Sequence, residues 1–199
     1  MSLKARRTPF KTREEWLMAF TKASRPVFKK LGYEIPDNVR MSVGFTSTGA
    51  RGKRIGECWS DLCSEDGAFE IFIDPKIGDA SRVADILTHE LIHATVGLAA
   101  GHKKPFVDCM KAVGLIGKPT ATTAGVDWHK WADPIIEKLG ALPHAAIKPS
   151  NGAKKQSTRM IKCECPDCGF TMRTTAKWLE TVSWVRCPDP NCGASMDIG

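Results

Sequence analysis

Apolar positions at Trp16, Phe20, Val27 and Leu31 give a partly helical spacing near the start of the chain. Thr12-Arg13-Glu14-Glu15 ahead of them reads as a capping box, with Thr12 as N-cap and Glu15 at the third helical position. Pro26 interrupts the pattern and predicts a kink or two short helices; Gly32 ends it. The period then changes. Residues 39–46 (VRMSVGFT), 55–60 (IGECWS) and 69–73 (FEIFI) read as strands, the last two paired as a hairpin across a short connection. Residues 47–54 (STGARGKR) form a glycine-rich basic loop between the first and second strands.

Helical spacing returns after Asp79 or Ser81, either of which can cap. Val83, Leu87 and Leu91 mark one apolar face of a helix running to about Gly97. Two more helices are predicted. One, at about 104–113, groups Phe106, Met110 and Val113; the other, at roughly 127–140, has Pro134 inside it or at a break. Residues 146–159 are rich in Pro, Ser, Gly and Lys and read as a linker.

Composition and charge sharpen this outline. The 199 residues suit one ordinary domain plus something small. No apolar run approaches the ~20 residues needed to span a bilayer, and the basic N-terminus lacks the apolar run of a signal peptide. The expectation is a cytoplasmic protein with reduced thiols. The net charge of +7 is uneven: residues 1–30 hold nine Lys/Arg against two Glu, and residues 140–162 hold five basic residues and no acid. Residues 31–139 are net −3 and residues 163–199 net −2. A basic arm and linker suit a polyanion such as nucleic acid. The division expected is a basic arm at 1–11, a main domain at 12–145, a linker at 146–159 and a cysteine-rich unit at 160–199.

The helix beginning near residue 80 carries the sharpest chemistry, His89-Glu90-Leu91-Ile92-His93. At ~100° per residue, two histidines four apart share a face, and their rings can reach one ion. Glu90, rotated by about 100°, can reach a water without being a ligand. Two imidazoles that hold zinc beside a carboxylate that takes the proton of the attacking water are the logic of HExxH. A metzincin needs Gly at 96 and His at 99; Val96 and Ala99 stand there. A thermolysin-type ligand needs a later Glu, and none occurs between His93 and Glu137. His102, after Gly97 and Gly101, is the expected third ligand, with Asp108 as the fallback. His129 is a candidate to stabilise the oxyanion, although a surface or packing role is the commoner one for such a histidine.

These residues, with "GECWS", "EIFIDP", "ILTHELIHATVG" and "GHKKPF", resemble the SprT-like (Spartan-type) zinc metalloproteases over about residues 35–115. "LGALPHA" at 139–145 resembles a feature of the phage and bacterial branch. The resemblance implies an α+β, zincin-like minimal metalloprotease domain: a small three-stranded sheet packed on helices, with HExxH on the active-site helix. His89, His93 and His102 would hold the catalytic Zn2+, Glu90 would be the catalytic base, and Phe106 would follow on the next helix. It also implies proteolysis of proteins crosslinked to DNA, and so DNA–protein crosslink repair.

In the tail, Cys165-Pro-Asp-Cys168-Gly is a zinc knuckle, and Cys187-Pro-Asp-Pro-Asn-Cys192-Gly is its wider partner. Cys165, Cys168, Cys187 and Cys192 are the expected ligands of a structural Zn2+ in a small β-rich ribbon that needs metal to fold. Cys163 competes with Cys165. Cys58, Cys63 and Cys109 read as core or free thiols. Trp178 and Trp184 could stack on bases, but at least one is expected to fill the small core. Phosphate contacts are better sought in the linker residues Lys154, Lys155 and Arg159, and in Arg51, Lys53 and Arg54. A zinc metallopeptidase is thus set against a non-enzymatic nucleic-acid- or protein-binding module with a structural or vestigial histidine site. An intact Glu90 favours the enzyme.

Overall fold

The structure is a computed structural model and describes residues 8–149, 160–182 and 184–199. The chain forms two compact units, Met1–Asn151 and Gly152–Gly199. The described residues give an α+β fold with five α-helices, a mixed three-stranded sheet, a two-stranded hairpin and a small C-terminal antiparallel sheet.

In the first unit, α1 (Arg13–Lys30) opens on the capping box. Thr12 Oγ1 accepts from the Glu15 N–H, and the Glu15 carboxylate accepts from the Thr12 N–H. The helix runs unbroken through Pro26, where a kink was expected. Pro26 and Lys22 are both exposed, so the Lys22 carbonyl that loses its partner faces water. Trp16, Leu17, Phe20 and Phe28 are buried beneath it.

Strands β1 (Val39–Val43), β2 (Gly56–Trp59) and β3 (Phe69–Ile73) form a sheet of order β1-β3-β2. β1 is parallel to β3, and β2 pairs antiparallel with it as the sequence pattern predicted. Met41, Ile71 and Ile73 turn inward and are buried. Asp79 caps α2 (Ala80–Val96) by accepting from the Arg82 N–H. Val83, Leu87 and Leu91 bury its apolar face.

α3 (Lys104–Ala112) buries Phe106, Met110 and the following Val113. A hairpin of β4 (Leu115–Lys118) and β5 (Ala121–Ala124), not foreseen in the sequence, precedes α4 (Val126–Leu139). α4 is continuous through Pro134, again exposed with an exposed residue, Lys130, four positions earlier.

The stretch after α4 straps back onto α1. The buried Arg13 guanidinium donates to the carbonyls of His144 (2.9 Å) and Ile77 (2.8 Å), and Trp16 Nε1 donates to the carbonyl of Gly140 (3.0 Å). The "LGALPHA" stretch is therefore a structural clasp on the first helix.

In the second unit, β6 (Ile161–Glu164) lies between β7 (Thr171–Thr174) and β8 (Asp197–Ile198), all antiparallel, with α5 (Ala176–Thr181) beside them. Its buried core is Cys163, Cys165, Cys187 and Met196. Neither tryptophan fills it. Trp178 and Trp184 are 57% and 59% exposed, which corrects the expectation that one would be core. Each is faced by a cation, Lys177 Nζ 5.6 Å from the Trp178 ring and the Arg186 guanidinium 4.5 Å from the Trp184 ring. Thiols and a methionine already occupy the small interior, leaving no room for an indole. No described helix is long and apolar enough to cross a membrane.

Candidate metal centres

His89 and His93 project from one face of α2. The chain then turns at Gly97 (φ 82°), makes a short 3-10 turn over Leu98–Ala100, and turns again at Gly101 (φ 51°). Both glycines take backbone conformations that a side chain would disfavour. The reversal returns His102 to the first two histidines. Its Nε2 lies 3.2 Å from His93 Nε2 and 3.5 Å from His89 Nε2. Nitrogens held at ~2.0–2.1 Å by one tetrahedral zinc sit about 3.3 Å apart, so these three fit such an ion. The Phe106 ring packs against all three imidazoles, with centroids 4.5–4.9 Å away.

Burial first, and then the neighbouring imidazoles, hold His89 down to about 3 and His93 to about 4; burial also lowers His102. The rings are neutral near pH 7, as ligands must be. His89 Nδ1 lies 2.8 Å from Thr122 Oγ1 on β5. Donation of its N–H there leaves the Nε2 lone pair facing the other two histidines. Thr122 is buried.

Glu90 turns from the same helix towards β2. It is buried, and its carboxylate accepts from the Cys58 N–H. Gly56 makes room: a Cβ there would lie 2.6 Å from Glu90 Oε1 and 2.6 Å from Ile86 Cγ2. Burial, then the charge of Glu57, pushes Glu90 up to about 8 against the pull of Arg54 and the Cys58 N–H. A dication at the histidines would favour its carboxylate form. Burial and Glu90 push the Cys58 thiol up to about 12, which keeps it inert.

Histidines and glutamate open into a cleft of about 550 Å³, walled by Ile55–Cys58 on one side and Thr120–Thr123 on the other. Thr122 and Gly56 are the site residues that the sequence reading missed.

Lys53 and Arg54 line this cleft. Arg54 is paired with Glu57, while Arg51 is exposed on the same loop. Lys154, Lys155 and Arg159 lie outside the described residues. Asp108 does not join the histidine cluster and pairs with Lys104 at 2.6 Å. His129 does not line the cleft; it pairs with Asp133 at 2.9 Å on the exposed side of α4.

The second cluster is Cys165, Cys168, Cys187 and Cys192. Cys165 Sγ is 3.5 Å from Cys192 Sγ, and Cys168 Sγ is 3.5 Å from Cys187 Sγ. A disulfide needs ~2.05 Å, whereas the sulfurs of one tetrahedral zinc sit about 3.8 Å apart. The backbone N–H of Cys168, joined by that of Asp167, holds the Cys165 thiol down at about 7. Cys163 stays out of the cluster. It is buried in β6 opposite Met172 and Ile198.

The chain thus carries two candidate metal sites, one of three histidines and one of four cysteines. Compared with known proteins, it matches no family model, no curated protein and no solved structure.

Proposed function

We propose that this chain is a zinc metallopeptidase of the SprT-like kind, with a zincin-like catalytic domain and a zinc ribbon, acting on DNA-associated proteins. The observation that carries the peptidase reading is the place of Glu90, between the three-histidine cluster and the outer edge of β2. β2 is an edge strand. Asp74 N–H donates to the Ile55 carbonyl at 3.0 Å, which sets the alternation of the antiparallel ladder. Gly56 and Cys58 therefore turn their N–H and C=O groups to the free edge, where Glu90 takes the Cys58 N–H and leaves the Gly56 N–H and both carbonyls for a peptide. A polypeptide added along that edge finds backbone partners there and runs through the cleft beside the histidines.

His89, His93 and His102 would hold the ion, and Thr122 would fix the orientation of His89. Zinc in such a site supplies Lewis acidity, bringing the pKa of a water towards ~7 and polarising a carbonyl. Glu90 takes a proton from the attacking water and delivers it to the leaving amine as the C–N bond breaks. The Cys58 N–H positions Glu90 for both transfers. The association with DNA is supported by the basic N-terminal and linker segments and by the paired cations and exposed indoles of the ribbon.

The test is Glu90→Gln, assayed with zinc content. The variant should keep two zincs per chain and lose protein cleavage. If it cleaves as fast as the wild type, Glu90 is not the base and the proposal fails.

A further inference from the structure

We propose that the outer face of the sheet, beside β2, holds a pocket for one basic side chain of the polypeptide that lies along the β2 edge. This rests on the peptidase reading and names a determinant of its substrate.

The pocket is a groove of about 340 Å³ on the side of the sheet away from the helices, with Phe45, Trp59 and Phe72 among its walls and Glu57, Ser64 and Glu70 among its polar groups. The two carboxylates differ. Glu57 is occupied at both oxygens, by the N–H and hydroxyl of Ser47 and by Arg54. Glu70 takes Arg40 and Ser64 on Oε1 alone, and among the described residues no donor reaches Oε2. Glu70, which lines the groove, thus keeps one carboxylate oxygen without a donor among the described residues.

Trp59 is the β2 residue in register with Glu70, and its indole is 42% exposed. An aromatic face next to an open carboxylate suits an ammonium or guanidinium. The surroundings agree in sign. Glu57 and Glu70 line the groove and Asp66 shares Arg40 with Glu70, so three carboxylates stand against the guanidiniums of Arg40 and Arg54. Lys76 Nζ, 5.9 Å from the Phe45 ring, is itself paired with Asp74 at 2.9 Å.

Reach selects the ligand further. A strand added to β2 lies ~4.8 Å beyond it and therefore about 9.6 Å from β3, which carries Glu70. A side chain of that strand level with Trp59 must cross the indole to meet Glu70 Oε2. Arginine and lysine are long enough. Shorter side chains stop on the ring, and a glutamate would meet a like charge. Cys58, whose N–H holds Glu90, immediately precedes Trp59, so the pocket reads a residue close to the peptide bond that is cut.

The experiment uses the full, zinc-loaded chain carrying Glu90→Gln, so that binding is read without cleavage. Fluorescein-labelled twelve-residue peptides carry a single Arg, Lys, norleucine or Glu at each position in turn, and affinity is read by anisotropy. One position should show Arg and Lys about tenfold tighter than norleucine, with Glu weakest. Adding Glu70→Gln should bring Arg and norleucine within about twofold of each other, and Trp59→Ala should narrow the preference for Arg and Lys over norleucine. Melting temperatures and zinc content identify any misfolded variant. Trp59 and Glu70 are independent arms, so if one variant misfolds the other carries the test.

No position with a preference, or a preference that survives both substitutions, overturns the pocket. The wild type is assayed for cleavage of the same peptides. Cleavage without preference sinks the pocket alone. Preference without cleavage in the wild type leaves the pocket standing and sinks the peptidase reading.

Discussion

The two metal centres differ in what holds them up. The three histidines stand on α2 and on the turn after it, over a core that includes Trp16, Phe20, Leu87, Leu91, Phe106 and Trp128. Phe106 packs on their rings from one side, and Thr122 fixes one ring from another. Nothing in that framework requires an ion. The ribbon's core is four buried residues, two of which are themselves thiols of the cluster. So few apolar side chains cannot offset the entropy of ordering some forty residues. In one unit the fold makes the site; in the other the site makes the fold. A metal ligand lost from the first should therefore remove chemistry, and one lost from the second should remove structure.

Chelation should break the molecule along this line, and it carries the largest expected effect. Structural zinc contributes on the order of 10 kcal/mol to small cysteine folds. A strong chelator should collapse the amide dispersion of residues 160–199 in a two-dimensional NMR spectrum and leave that of α1, α2 and the sheet. Loss of both sets together would show that the histidine site also depends on its ion for folding. Cys168→Ser should reproduce the first pattern. His102→Ala should remove one zinc by elemental analysis while the ribbon stays intact.

Next in size is Glu90→Gln. Loss of a general base costs roughly 10²–10⁴-fold in rate, with no change expected in metal content or in the melting of either unit. A fall in zinc occupancy on this substitution would make Glu90 part of the ligand set, blurring the distinction between chemistry and scaffold.

Thr122→Val tests whether the framework tunes the ion as well as placing it. Removing the partner of a ligating histidine typically costs 10–100-fold in metal affinity. Competition with a coloured chelator should show that loss at the histidine site alone, and Thr122→Ser should restore it. A cobalt-substituted protein should shift its visible absorption in the valine variant and not in the serine one. If valine leaves both affinity and spectrum unchanged, the 2.8 Å contact to His89 is packing only.

Most of this framework was legible because its pattern and its packing agree. The capping box before α1, the hairpin of β2 and β3, and the apolar face of α2 all combine a local signal with burial. The β4–β5 hairpin was not legible, and the reason is functional. Its buried position is Thr122, flanked by exposed Ala121 and Thr123, so the polar side chain is inside and the usual alternation vanishes. The threonine is inside because it faces His89. Gly56 was silent for a related reason. A glycine beginning a strand looks like a weak strand residue, and only the neighbouring helix shows that Glu90 occupies the space of its side chain. Pro26 misled in the opposite direction, while Pro134 lies inside its helix, one of the two placements expected for it. Their local penalty is real, but it falls on solvent-facing turns where water replaces the lost hydrogen bond.

Tryptophan gives the finest version of the comparison and the smallest expected effect. Trp128 is fully buried and donates to Thr88 Oγ1 at 3.0 Å, so Trp128→Ala should destabilise the first unit by roughly 3–5 kcal/mol. Trp184 touches solvent over most of its surface, with Arg186 over its ring. Trp184→Ala should move the unfolding of the zinc-loaded ribbon by no more than about 0.5 kcal/mol, measured by denaturant titration. An indole of so little structural use in so small a unit needs another reason to be there. Stacking on a base is worth ~1–3 kcal/mol, so single-stranded DNA affinity should fall in Trp184→Ala while stability holds. Residues 163–199 are net −2, so that affinity should come from the ring and its adjacent guanidinium more than from overall charge. A large loss of stability with no loss of binding would give Trp184 the core role expected of at least one of the two tryptophans, and would remove the stacking role argued for it.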